Sequence, residues 1–194
     1  MVKRKPEDIV DCMTMNDISN VTSGPAETLS PALPTSIEQL AEQLLHACCK
    51  ANLMLATAES CTGGLLASLL TDVEGASHAF ERGFVVYSED AKCELLGVAR
   101  ERIDACSAVS RDVAIAMAQG AIGRSHADIA LAVTGYAGSA PPGEEPGLVH
   151  FACARRQGSI VHREMHFGDV GRGPIRIGAI AVALEMMDDA VHGR

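Results

Sequence analysis

No tryptophan occurs in this chain of 194 residues, and the aromatics amount to two tyrosines and four phenylalanines. A core drawn from 47% hydrophobic residues must therefore be filled by Ala, Val, Ile and Leu rather than by rings. No run of about 18 apolar residues exists, so a membrane-spanning helix is not expected. No apolar stretch follows the basic start Met1-Val-Lys-Arg-Lys5, which argues against a secretory leader. The seven cysteines (Cys12, Cys48, Cys49, Cys61, Cys93, Cys106 and Cys153) show neither CxxC pairs nor zinc-ligand spacing. An odd, scattered set of this kind reads as reduced thiols in the cytoplasm.

Lysine is scarce too. Beyond residue 5 only Lys50 and Lys92 occur, against eleven arginines. The net charge of −9 leaves no broad basic face, so nucleic acid is not an expected partner. A local basic pocket for a small anion remains compatible with that charge.

The length suits one domain with an ordinary core. Residues 1–35 mix Pro, Ser, Thr, Asn and both charge signs without a sustained period, the pattern of a flexible extension ahead of a domain over 36–194. Thr35-Ser36 offers a helix cap, and Ile37, Leu40, Ala41, Leu44, Leu45 and Cys48 then recur at helical spacing. Leu53–Ala58 reads as a strand, Thr62–Thr71 as a helix and Arg82–Tyr87 as a second strand. Ser88 caps a short helix ending near Gly97, and Ser110 opens an Ala-rich helix to about Arg124. Asp128–Val133 has the make-up of a buried strand. Ser139–Gly147 is a Pro/Gly/Glu loop, 148–154 and 159–167 form a hairpin, and Ile175–Val191 is an amphipathic helix. Helices alternating with strands predict an α/β fold, a three-layer α/β/α sandwich, and the hairpin makes its mostly parallel sheet mixed.

The most informative stretch is Leu55-Ala-Thr-Ala-Glu-Ser-Cys-Thr-Gly-Gly-Leu-Leu66. An apolar strand ends in a polar turn and a helix begins at once, which sets the hydroxyl of Ser60 beside unpaired backbone N–H groups. Those groups and the helix dipole favour negative charge, whether a bound anion or a developing oxyanion. The same pattern also suits Ser60 as an ordinary helix cap. The turn has no lysine, so it is not a Walker phosphate loop.

Lys92 falls in the first turn of the helix capped by Ser88, where the positive dipole end disfavours an ammonium. It is thus either a base of lowered pKa or a solvated surface lysine. The two tyrosines, Tyr87 and Tyr136, each end a predicted strand. In open α/β sheets, ligands collect at the carboxyl ends of parallel strands. Ser60, Tyr87, Lys92 and Thr134-Gly135 gather there if the first, second and Asp128 strands run parallel. Cys61 is a rival nucleophile without a histidine partner. His162 and His166 share a strand face, but with no third ligand in view they read as a solvent-facing pair, and no metal is expected.

Five segments share one order with a known family. They are Ala56-Thr-Ala-Glu-Ser-Cys-Thr-Gly-Gly64, Thr71-Asp-Val-Glu-Gly-Ala-Ser77, Gly83-Phe-Val-Val-Tyr-Ser88 with Lys92 and Leu96-Gly97-Val98, Ala108-Val-Ser110, and Asp128-Ile-Ala-Leu-Ala-Val-Thr-Gly135 with Ala137-Gly138. Together they resemble the CinA C-terminal domain family over about residues 36–190. Active members of that family hydrolyse the carboxamide of nicotinamide mononucleotide to nicotinate mononucleotide and ammonia, without metal or cofactor. The resemblance implies an α/β/α sandwich and a serine amidohydrolase with Ser60, Tyr87 and Lys92 as catalytic residues. It places the pyridine nucleotide against Cys61, Thr62, Gly63, Gly64, Thr134, Gly135 and Arg172, and it implies a homodimer. The alternative is an inactive relative that binds a nucleotide or a protein partner on the same scaffold.

The pattern departs in three places. The loop Ser139–Gly147 is poorer in glycine than the family's, and Tyr136 replaces a smaller aliphatic residue. The family's Gly-Asp-Arg reads Gly168-Asp-Val-Gly-Arg172, which displaces the arginine expected to approach the substrate.

Overall fold

The computed structural model describes residues 33–194, so all but the end of the expected extension over 1–35 lies outside the described residues. The elements run α1 (Thr35–Ala51), β1 (Leu55–Glu59), α2 (Leu65–Thr71), β2 (Phe80–Val85), α3 (Glu89–Leu96), α4 (Arg100–Cys106), α5 (Arg111–Gly123), β3 (Ile129–Gly135), β4 (Leu148–Arg155), β5 (Ile160–His166) and α6 (Arg172–His192). The strands form one sheet in the order β2-β1-β3-β4-β5. β1 runs parallel to both β2 and β3, while β3-β4 and β4-β5 are antiparallel. The expected mixed sheet with a parallel centre and a terminal hairpin is therefore observed.

The layers follow from alternation along the strands. Leu55, Leu131, Val133, Val149, Phe151 and Cys153 face one way and pack with α1, α2 and α6. Ala56, Ala58, Ala130, Ala132, Ala152 and Ala154 face the other way, against α3, α4 and α5. One face of the sheet is thus branched and bulky, and the other is almost entirely alanine. The alanine face accepts an equally small-sided helix, α5, whose Val113, Ala114, Met117, Ala118 and Ala121 are buried. A chain with so few rings fills its core in this way.

Both serine caps are as expected. Ser88 Oγ accepts from the Ala91 amide at 3.1 Å and Ser110 Oγ from the Val113 amide at 3.3 Å. The cap at Thr35-Ser36 is not observed: α1 begins at Thr35 itself, behind an extended Pro34 that makes no side-chain cap. Leu33 is half-buried against the core, so packing starts before residue 36. β2 lies two residues earlier than its apolar pattern suggested, because parallel pairing aligns Phe80 with Leu55. The short α4 was not expected from the sequence; only its Ile103 is buried, too little for a recognisable period.

Helix α3 ends directly on α5. A Cβ built on Gly120 would stand 2.1 Å from the carbonyl oxygen of Leu96. Gly120→Ala is accordingly expected to push α3 away and cost about 1–3 kcal/mol. Thermal melting would fall by about 2–4 °C for each kcal/mol. An unchanged melting temperature would show that the α3–α5 contact gives way freely.

Candidate active site

The carboxyl ends of the parallel strands carry the site. β1 ends at Glu59, and the ladder continues one step further on each side. The Ser60 amide donates to Val133 O at 3.0 Å and the Val86 amide to Glu59 O at 2.8 Å. Ser60 is thereby fixed at the meeting point of all three parallel strands.

The turn that follows is organised by Glu59, whose role was not recognised in the sequence. Its side chain is fully buried. Oε2 accepts from the amides of Gly64 and Leu66, both at 3.1 Å, and Oε1 from the Ala67 amide at 2.8 Å and Thr57 Oγ1 at 3.2 Å. The anion expected at this helix N-terminus is therefore the protein's own. Gly63 and Gly64, at φ 64° and 91°, adopt the left-handed backbone that folds the amides onto it. The Gly63 amide is engaged as well, donating to Ser60 O at 3.1 Å. Among the described residues, the amides of Cys61 and Thr62 donate to no backbone carbonyl, so these two of the turn's amides stay free. Behind the turn, Arg176 holds the Thr62 carbonyl through Nη2.

Lys92 enters from α3. It is 1% exposed, and its Nζ lies 3.1 Å from Ser60 Oγ, 2.9 Å from Val86 O and 3.4 Å from Tyr87 O. Among the described residues no carboxylate forms a salt bridge with it. Burial pushes its pKa below the usual lysine value, outweighing the opposing pull of Cys61, Glu89 and Cys93. Nζ is thus held by two carbonyls and the Ser60 hydroxyl, and on losing its proton it can accept from that hydroxyl. The reading of Lys92 as a solvated surface residue is overturned by its burial.

Cys61 also reaches the cavity wall, but burial pushes its thiol up to about 12, which leaves it protonated. Tyr87 is 66% exposed, and its phenol bonds to neither Ser60 nor Lys92. It stands at the mouth of a cavity of about 250 Å³ lined by Ser60, Cys61, Lys92, Thr134, Gly135, Tyr136 and Arg172 among others. Thr134 Oγ1 is tied to Ala108 O at 2.8 Å, which braces the cavity wall. Arg172 reaches the wall beside Gly138 from the first position of α6, despite its displacement in the sequence. Thr62, Gly63 and Gly64 do not line the cavity; they form its support. A larger hollow of about 630 Å³, at the opposite end of the sheet between Arg155, Arg163 and Arg194, holds no such pairing of a buried hydroxyl and amine.

Comparison with known proteins agrees with this fold. The family model described as the CinA C-terminal domain matches residues 37–191. Nicotinamide-nucleotide amidohydrolase PncC of Escherichia coli K12 is 41% identical over 156 residues, covering 79% of this chain and 93% of that protein. A CinA-like protein of Chlorobium limicola is 45% identical over 141 residues, or 71% of this chain. The chain spans only about a third of such longer relatives, 32% in that case. Among solved structures, the competence/damage inducible protein CihA of Agrobacterium tumefaciens superposes with a TM-score of 0.79 at 45% identity, covering 82% of this chain and 98% of that one.

Glu59→Gln replaces an acceptor-only group with one that turns an N–H₂ toward backbone N–H donors. The expected loss is about 3 kcal/mol of stability, read as melting roughly 6–12 °C lower. Equal stability of the variant would show that the turn is held by other contacts.

Proposed function

The chain belongs to the CinA C-terminal domain family, and we propose that it is a serine amidohydrolase that cleaves the carboxamide of nicotinamide mononucleotide. The observation that carries this reading is the buried, carboxylate-free Lys92 amine 3.1 Å from Ser60 Oγ. The substrate class follows from the similarity to E. coli PncC.

Ser60 Oγ attacks the amide carbon while Lys92 takes its proton. The free amide of Cys61, the one of the two whose residue lines the cavity, receives the developing oxyanion, a contribution of roughly 3 kcal/mol for a well-aimed donor in other enzymes. Collapse breaks the C–N bond as the Lys92 ammonium returns the proton to the leaving nitrogen, giving ammonia and a nicotinate ester on Ser60. Water then attacks this ester, again giving its proton to Lys92, which passes it to Ser60 Oγ as the C–O bond breaks, so that nicotinate mononucleotide leaves and the Ser60 hydroxyl is restored.

Because Lys92 already lies within reach of Ser60, the proton needs no relay through Tyr87. The tyrosine ring instead covers the pyridine at the cavity mouth, and Arg172 faces the phosphate. Cytoplasmic location and a homodimer complete the reading by analogy with the family and the prevalence of two-fold assemblies.

Ser60→Ala is expected to abolish ammonia release from nicotinamide mononucleotide while the protein stays folded. Cys61→Ala, which keeps the backbone amide, should still turn over. Near wild-type rates in the serine variant, or complete loss in a folded cysteine variant, would move the nucleophile to the thiol. A folded wild type that binds the nucleotide and releases no ammonia would favour a non-catalytic binding role.

The pH dependence follows from the lowered pKa of Lys92. The rate should rise with pH through an ionisation below the ordinary lysine value of about 10.4, and the rise should vanish in Lys92→Arg together with turnover. Stability has the same sign. Between the lowered native value and about 10.4 the unfolded chain binds the extra proton, so this group's contribution grows with pH across that window. It is lost again as pH falls through the native value. Comparable turnover by Lys92→Arg would assign proton transfer elsewhere.

A further inference from the structure

Seven polar or charged side chains are buried among the described residues, and six of them belong to the Ser60 turn, its lysine or the cavity wall. The seventh, His150, lies on the alanine face of β4 and is 6% exposed. Its Nδ1 stands 3.2 Å from Nε2 of His162 and 3.4 Å from Oε2 of Glu164, both on β5. The hairpin register explains the meeting: His150 pairs directly with Glu164, and His162 pairs with Ala152, two residues along on the same face. All three ligand atoms lie within 4.8 Å of one another.

We propose that His150, His162 and Glu164 form a binding site for a divalent transition metal, zinc in the first instance. Two nitrogen ligands of a tetrahedral zinc, each ~2.0–2.1 Å from the ion, lie ~3.3 Å apart, and the two imidazoles already have that spacing. Two histidines and one carboxylate also make up a common zinc ligand set, with a fourth position left for water. Burial lowers the pKa of both rings, which favours the neutral form a metal requires. The ion replaces the single proton that the two facing nitrogens otherwise share, and His150 then carries its own proton on Nε2.

The surroundings support the carboxylate. The other oxygen of Glu164 lies 3.0 Å from His166 Nε2, and His166 Nδ1 lies 2.8 Å from Glu145 Oε2 in the loop before β4. Carboxylates that ligate metals are themselves hydrogen-bonded, and Glu164 has such a partner in His166, which Glu145 fixes in turn. Glu164 is exposed, which leaves a path of entry. Of the charges at the start of α5 that act on His162, Arg111 opposes a cation and Asp112 favours one. The site is separate from Ser60 but adjoins its cavity, because His150 pairs across β3-β4 with Thr134 of the cavity wall.

The test is titration of metal-stripped, full-length protein with Zn²⁺ by calorimetry and with Co²⁺ by visible absorption. One equivalent is expected to bind, with d–d bands of tetrahedral intensity and without the near-ultraviolet charge transfer that thiolate ligands produce. His150→Ala and His162→Ala should each abolish this binding, and Glu164→Gln should weaken it by about tenfold or more. Zn²⁺ should raise the melting temperature of the wild type, raise that of Glu164→Gln less at the same concentration, and leave that of His162→Ala unmoved. Should His150→Ala fail to fold, the two partly exposed positions still decide the matter. Absence of uptake at millimolar metal, a thiolate band, or unchanged affinity in folded His162→Ala would reduce the cluster to a hydrogen-bonded histidine pair.

Discussion

Everything at this site depends on where the Glu59 carboxylate is buried. A helix start leaves several amides unpaired, and β1 delivers directly onto one. Glu59 meets three of those amides and the Thr57 hydroxyl with its two oxygens, so a group that would be costly to bury alone becomes the fastener of the turn. With Gly64, Leu66 and Ala67 engaged, Ser60 and Cys61 have little freedom to move relative to β1. The same arrangement closes the helix N-terminus to any external anion. Recognition of negative charge on a ligand is left to side chains on the far wall, among which Arg172 is the cation.

The second constraint is the burial of Lys92 with no carboxylate paired to it among the described residues. A buried ammonium without a partner is strongly disfavoured, and the structure offers two carbonyls and one hydroxyl instead. Both carbonyls belong to the segment that leaves β2, and the hydroxyl belongs to the segment that leaves β1. The parallel pairing of these strands thus fixes the distance between the Ser60 hydroxyl and the Lys92 amine. Gly120 contributes to the same placement, since α3 could not settle on α5 with a larger residue there.

Much of this was legible in the sequence, and the remainder was hidden for identifiable reasons. Strand–turn–helix at Ser60, the serine caps at 88 and 110, and the final hairpin are local patterns, and local patterns carried them. The gathering of Ser60, Lys92, Tyr87 and Thr134 required only that three strands be parallel, and they are. Glu59 was overlooked because a glutamate at a strand end reads as solvent-facing; its four donors arrive from residues on both sides, through a turn whose shape two glycines determine. Thr62, Gly63 and Gly64 were expected at the ligand, but hydrogen bonds made behind the turn draw them into support. The alanine face of the sheet escaped notice because alanine gives little signal in a hydropathy period, although its alternation with Leu, Val and Ile is plain once the strands are paired.

The histidine cluster shows the same limit from another side. His162 and His166 are visible as a pair on one strand, but the cluster takes His162 and Glu164 from that strand, with His166 behind the carboxylate. Its third member, His150, arrives from β4, twelve residues before His162, through a register that only the fold supplies. That register also ties the two halves of the sheet together. Thr134 faces the cavity at the end of the last parallel strand, and its partner His150 opens the antiparallel hairpin. A charge bound at His150 therefore lies one strand from the cavity wall, and through Glu164 and His166 it reaches Glu145 in the proline-rich loop that leads away from that wall. The parallel half brings the Ser60 hydroxyl and the Lys92 amine together, and the antiparallel half supplies the strand whose His150 pairs with Thr134 of the cavity wall.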